Sequence, residues 1–168
     1  MAAIPDSQAM ITVPPNKAVV VFMASTLHGI PKPSVFDISV EPPSLVGIVP
    51  SGTKVAYTTD PGVRRFMVLG ESADFMDATL LAGKTYYVRF TSRTGGWKPG
   101  FSFDPVAKTD TDEALGKELV STSWVANTAD SLEWARHNMP SVQAKVAKYL
   151  PPWLTRPNKP TLNANDGR

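Results

Sequence analysis

The chain has no cysteine, which excludes disulfides, thiolate metal sites and a cysteine nucleophile. It also lacks long apolar runs. The longest, Ala18-Val19-Val20-Val21-Phe22-Met23-Ala24, is far shorter than the roughly 20 residues of a spanning helix. No basic-then-apolar signal peptide precedes it. Charge of one sign is missing too: 17 Lys and Arg face 15 Asp and Glu, for a formal charge of +2. A nucleic-acid binder carries a basic stripe as its electrostatic footprint. The densest basic spot is Arg64-Arg65, inside a strand-like segment, so no nucleic-acid partner is expected.

Chemistry-bearing patterns are equally sparse. The two histidines, His28 and His137, lie far apart in sequence, and a zinc site takes three or four ligands; both read as surface residues. No Gly-x-Ser-x-Gly elbow occurs. Gly83-Lys84-Thr85 copies the end of a phosphate-binding loop, but Ala78 stands where the first glycine belongs and a strand pattern follows instead of a helix. Asp104, Asp110, Asp112 and Glu113 cluster as a hard cation would want. The glycine and distal glutamate of an EF-hand loop are missing, and helix capping explains the same residues. Asp74 and Asp77 read as loop decoration, since charges are normally solvated. No metal and no cofactor are expected, and the chain reads as a non-enzyme.

Proline is plentiful, at 16 of 168 residues, which favours many short elements, because proline neither donates to a ladder nor continues a helix. Ala18–Ala24 reads as a strand buried on both faces. Phe36, Ile38 and Val40 alternate with Asp37 and Ser39, predicting one dry and one wet face. Further short strands follow at Leu45–Val49, around Val55 and Tyr57 with Lys54 and Thr58 on the wet side, and around Phe66 and Val68. Their spacing, about ten residues between turn signals such as Asp60-Pro61-Gly62, suggests a sandwich. In Lys84–Thr91, Tyr86, Val88 and Phe90 fall on one face and Tyr87, Arg89 and Thr91 on the other. Phe101-Ser102-Phe103 closes the series.

The pattern turns helical after Pro105. Thr111 with Asp112 and Glu113 marks a helix start, and Leu115 and Leu119 share a face. Asn127 or Thr128 caps a second helix, which carries His137 near its end. Pro140 begins a third, with Val142, Val146 and Tyr149 or Leu150 as its stripe, and Pro151-Pro152 stops it. Trp153, Leu154 and Leu162 are placed to pin the tail. The fold class expected is mainly β (α+β): an antiparallel β-sandwich followed by a short C-terminal helical segment. A single domain 1–168 is expected, with a sandwich core over 18–103, a helical extension over 111–150 and an extended tail over 151–168.

The segment Leu81-Ala82-Gly83-Lys84-Thr85-Tyr86-Tyr87-Val88 resembles a strand in small β-sandwich domains of bacterial lipoproteins of unknown function. The valine-rich first strand, the turn at Gly52 and Asp60-Pro61-Gly62 before a strand follow in the same order. Trp124-Val125-Ala126-Asn127-Thr128, Trp134-Ala135 and the ending Asn165-Asp166-Gly167-Arg168 are similar to the helical extension some members carry, so the resemblance spans most of the chain. It implies a periplasmic or outer-membrane-anchored protein, held by a lipid on an N-terminal cysteine. With no cysteine here, membrane contact is expected only through an anchor outside this sequence. The resemblance implies no catalytic residues.

One surface stands out. Trp97 lies in the glycine-rich loop Thr94–Gly100, and Tyr87 and Arg89 face away from Tyr86 and Val88. With Arg93 they would form a flat amphipathic platform suited to a sugar ring or a protein partner, unless the helices cover that face. The leading expectation is a non-catalytic envelope module that binds an envelope protein. The alternatives are a carbohydrate-binding sandwich using Trp97, Tyr87, Arg89 and Arg93 on a glycan, and an enzyme with dispersed residues.

Overall fold

The computed structural model describes residues 1–5, 11–25, 32–93 and 100–168. In chain order the elements are β1 (Ala2–Ala3), β2 (Ala18–Ala24), β3 (Ser34–Asp37), β4 (Ser44–Ile48), β5 (Thr53–Thr59), β6 (Gly62–Leu69), β7 (Ala73–Leu80), β8 (Thr85–Arg93) and β9 (Gly100–Pro105). Helix α1 (Asp112–Ser121), β10 (Ser123–Ala126), α2 (Ala129–Leu154), β11 (Thr161–Leu162) and a 3-10 turn over Ala164–Asp166 follow. One sheet has the order β1-β10-β5-β2-β8-β9, the other β11-β7-β6-β3-β4. Strand outweighs helix, 41% against 26%, so the mainly β sandwich with a C-terminal helix is the fold. It is not purely antiparallel: β2 runs parallel to β8, β10 to β5 and β11 to β7.

The alternation of each strand decides which layer its side chains join. In β2, Ala18, Val20, Phe22 and Ala24 enter the core between the sheets, with Phe66, Phe90 and Phe103. Phe22 meets Phe66 edge-on at 5.2 Å between ring centroids. Val19, Val21 and Met23 point the other way, beneath Val106 and Leu115. The run is buried on both faces, as its unbroken apolar character requires. The second sheet repeats the arrangement. Phe66 and Val68 of β6 face inward, while Met67 and Leu69 lie with Phe75 under Ala135, Val142 and Trp153 of α2. Burying each such Phe, Val or Leu is worth about 1.5–3 kcal/mol.

Several sequence expectations need correction. The wet face predicted for Asp37 and Ser39 does not exist at Asp37, which is fully buried. The strand ends there, and α2 covers Phe36 on the other face. Lys54, expected in solvent, is 3% exposed. Its ammonium lies over the Trp124 ring, 4.6 Å from the centroid, and donates to the carbonyls of Leu119 (2.7 Å) and Thr122. Those are orphan acceptors at the end of α1, where a cation is favoured.

Pro140 does not open a third helix, and Pro151-Pro152 does not stop one: α2 runs unbroken from Ala129 to Leu154 with all three prolines inside. An interior proline costs about 3 kcal/mol; the buried stripe Ala135, Val142 and Trp153 offsets that by packing on β7. His137 accordingly sits in mid-helix, exposed. Thr128 caps α2 reciprocally with Ser131, and Thr111 caps α1 through the Ala114 amide, both as the residue types indicate. Between the helices lies β10, a strand within a stretch read as helical. Trp153 and Leu162 do pin the tail, whereas Leu154 is 44% exposed.

Candidate functional site

Backbone direction in the first sheet follows from a few bonds. The Val19 amide donates to the Lys84 carbonyl, so Val19, Val21 and Met23 direct their main-chain groups toward β8. Residues 18, 20, 22 and 24 therefore address β5, where they oppose Thr59, Tyr57, Val55 and Thr53. The intervening residues of β5, Lys54, Ala56 and Thr58, turn their main-chain groups to the other edge. There β10 pairs only at Ser123↔Thr53 and Trp124↔Lys54 before it diverges to pair with β1 at Val125 and Ala126. Among the described residues no strand pairs with β5 at Ala56 and Thr58, whose N–H and C=O groups are directed to that edge.

Along that edge lies a groove of about 370 Å³. Its walls are Ala56 and Thr58 on one side, Val125 and Asn127 on the other, Val46 at depth and Ile11 at the mouth. Neighbouring edges are treated differently. The Asn127 amide donates to the carbonyls of Val46 (3.1 Å) and Leu45 (3.4 Å) on β4, blocking that strand with a side chain, one of the ways proteins protect edges. The groove continues past Ile11 and Trp124 into a shallower apolar hollow of about 270 Å³, lined also by Tyr87, Leu119 and Val120. Val120 is 90% exposed there.

Below the groove, Tyr57 points inward, its ring 6.1 Å from Phe66 and its hydroxyl donating to buried Asp37 at 3.1 Å. Burial, then the Asp37 charge and that hydrogen bond, push the Tyr57 phenol up to about 12. Asp37 also accepts from the Ser39 amide at 2.9 Å and lies 3.7 Å from Arg64. The group braces one end of the sandwich.

The residues singled out in the sequence are distributed as follows. Tyr87 lies on the outer face, half-buried against Leu119 and Trp124, and burial raises its phenol. Arg89 is held down by α1: its guanidinium donates to Glu118 at 2.8 and 2.9 Å and to Asp110 at 3.2 Å, with Asp104 at 3.6 Å. Arg93 stands six residues beyond Tyr87, roughly 20 Å along the strand; its buried Nε has no partner among the described residues. Trp97 and His28 lie outside the described residues. Asp74 and Asp77 are not in a loop but on opposite faces of β7. Asp74 is buried and accepts from Ser102 (2.6 Å) and Arg156 (3.0 Å); Asp77 pairs with Arg65 at 2.6 Å. Asp112 accepts from Arg168 at 3.0 Å.

Sequence reading missed Ala56, Thr58 and Trp124. Trp124 alternates with Val125 in a strand-like way, a usable signal. The open edge has no local signal, since it depends on where β10 leaves β5. No protein-family model, curated protein or solved structure matches this chain.

Proposed function

We propose that this protein is a non-catalytic interaction module of the cell envelope that captures an extended segment of a partner protein by strand addition to β5. The observation carrying this reading is the pair Ala56 and Thr58, which line the groove and pair with no neighbouring strand on that edge among the described residues. The chemistry that satisfies such groups in register is another extended main chain. Side chains of the incoming strand alternate, so one set enters toward Val46 and Val125 and the other meets Ile11 and Trp124. The preferred segment therefore carries apolar residues at alternate positions. The envelope setting is supported by the resemblance of residues 81–88 and 124–135 to lipoprotein sandwich domains.

Panning a random peptide display library against the full chain tests the proposal. Enriched peptides should show that alternation and bind in the micromolar range. Thr58→Pro removes a groove-facing N–H without touching the bonds of Tyr57 and Thr59 to β2, a position where an edge tolerates proline. It should weaken binding at least about tenfold, the equivalent of roughly 1.4 kcal/mol, with circular dichroism unchanged. N-methylation of alternate peptide amides should do the same with the natural protein. No enrichment, or equal binding after both changes, overturns the reading.

A further inference from the structure

On α2, Trp134, Asn138, Ser141 and Lys145 recur at helical spacing and share one face. That face looks across a groove of about 310 Å³ at Glu71 of the β6–β7 turn and at Lys32, just before β3, which form the other rim. Leu69 and Val142, both buried, lie between. The width is set by the Lys145 ammonium, which donates to the Gly70 carbonyl at 3.0 Å and so ties the helix to the turn. Trp134 is 39% exposed, which leaves a substantial part of the indole open. The Asn138 amide nitrogen donates to the Trp134 carbonyl at 2.7 Å, leaving its oxygen as an acceptor. Among the described residues, Glu71, Lys32 and Ser141 have no protein partner.

We propose that this groove binds a pyranose ring of a neutral saccharide. A sugar ring is apolar on one C–H face and polar at its rim, matching an aromatic surface bordered by hydroxyl, amide and carboxylate groups. The unpartnered Lys32 and Glu71 put charges of opposite sign on the rim, and the Lys145 ammonium is engaged by Gly70, so neither an anion nor a cation is favoured by charge alone. The site lies on the helix-covered sheet and is independent of the β5 edge, so either can fail alone.

The test is titration calorimetry of the full chain with glucose, galactose, mannose, N-acetylglucosamine and their β-1,4-linked disaccharides. At least one should bind with a millimolar or tighter dissociation constant. Trp134→Ala should abolish that binding, and it should fold, because Ala favours helix and the indole is half in solvent. Glu71→Gln, which keeps the shape, should weaken it about tenfold through loss of a charge-assisted bond. Thr58→Pro should leave it unchanged. No binding by any of these sugars, or binding that survives both Trp134→Ala and Glu71→Gln, overturns the proposal.

Discussion

Replacing Trp153 separates two opposing contributions at the end of α2. The indole is 3% exposed and packs against Phe75 at 5.6 Å between centroids, with the Arg65 guanidinium 5.4 Å from its ring. Truncation to alanine removes that contact area and leaves a cavity, a change worth about 3–5 kcal/mol, with about 0.5–1 kcal/mol more from the lost cation–π contact. Phenylalanine behaves differently. The buried Nε1–H of Trp153 has no acceptor among the described residues, and such an orphan costs about 1–3 kcal/mol. Trp153→Phe removes that donor along with roughly two to three ring atoms' worth of packing, about 2 kcal/mol, so the two changes nearly cancel. The assay is urea denaturation followed by circular dichroism, since a fluorescence probe is being deleted. Trp153→Ala should lower the unfolding free energy by about 3.5–6 kcal/mol and Trp153→Phe by less than about 1 kcal/mol. If phenylalanine costs as much as alanine with an unchanged m-value, the orphan-donor argument is wrong.

Two further outcomes follow from groups near the β5 groove. Tyr57 holds its proton in the folded state to about pH 12, whereas an unfolded tyrosine releases it near pH 10. Its contribution is thus complete below pH 10 and is lost as pH rises through the window to about 12; Tyr57→Phe should flatten the alkaline limb of stability and remove a phenolate absorbance step near pH 12 at 295 nm. Lys54→Met keeps the stem's bulk but withdraws the ammonium from the Trp124 ring and from the Leu119 and Thr122 carbonyls, a loss of about 3–6 kcal/mol for two charge-assisted bonds. Hydrogen exchange should show the amides of α1 losing protection first, and unchanged protection there would refute the role given to Lys54.

Local pattern revealed the elements whose neighbours are set by their own alternation. The β2 run and the Tyr86, Val88, Phe90 stripe needed only side-chain period, and the α1 start needed only Thr111 and its acids. The errors share a physical origin, which is cover supplied from far along the chain. Asp37 and Lys54 look like solvated charges until Tyr57 and Arg64, or the end of α1, come to meet them. The continuity of α2 was hidden by prolines whose local penalty is outweighed by packing on β7. The groove depends on β10 leaving β5 after a single dipeptide, at a separation of about 70 residues that no periodicity encodes. Of the candidate site, sequence therefore disclosed Tyr87 and its face but not the edge beside it.

The buried ionised groups serve the packing of the layers. Among the described residues the buried carboxylates are Asp37, Asp74 and Asp166, and each is already engaged by the protein: Asp37 by Tyr57 and Ser39, Asp74 by Ser102 and Arg156, Asp166 by the amides of Lys108 and Asn163. The arginines do similar work across layers, Arg89 joining β8 to α1 and Arg168 joining the tail to α1. Charge thus fastens helices and tail to the sheets. Among the described residues, the groups left without partners are of another kind: the main chain of Ala56 and Thr58 at the β5 edge, Ser141 beside the partly open indole of Trp134, and Glu71 opposite. On the two proposals made above, these groups recognise an extended main chain and a neutral sugar ring respectively.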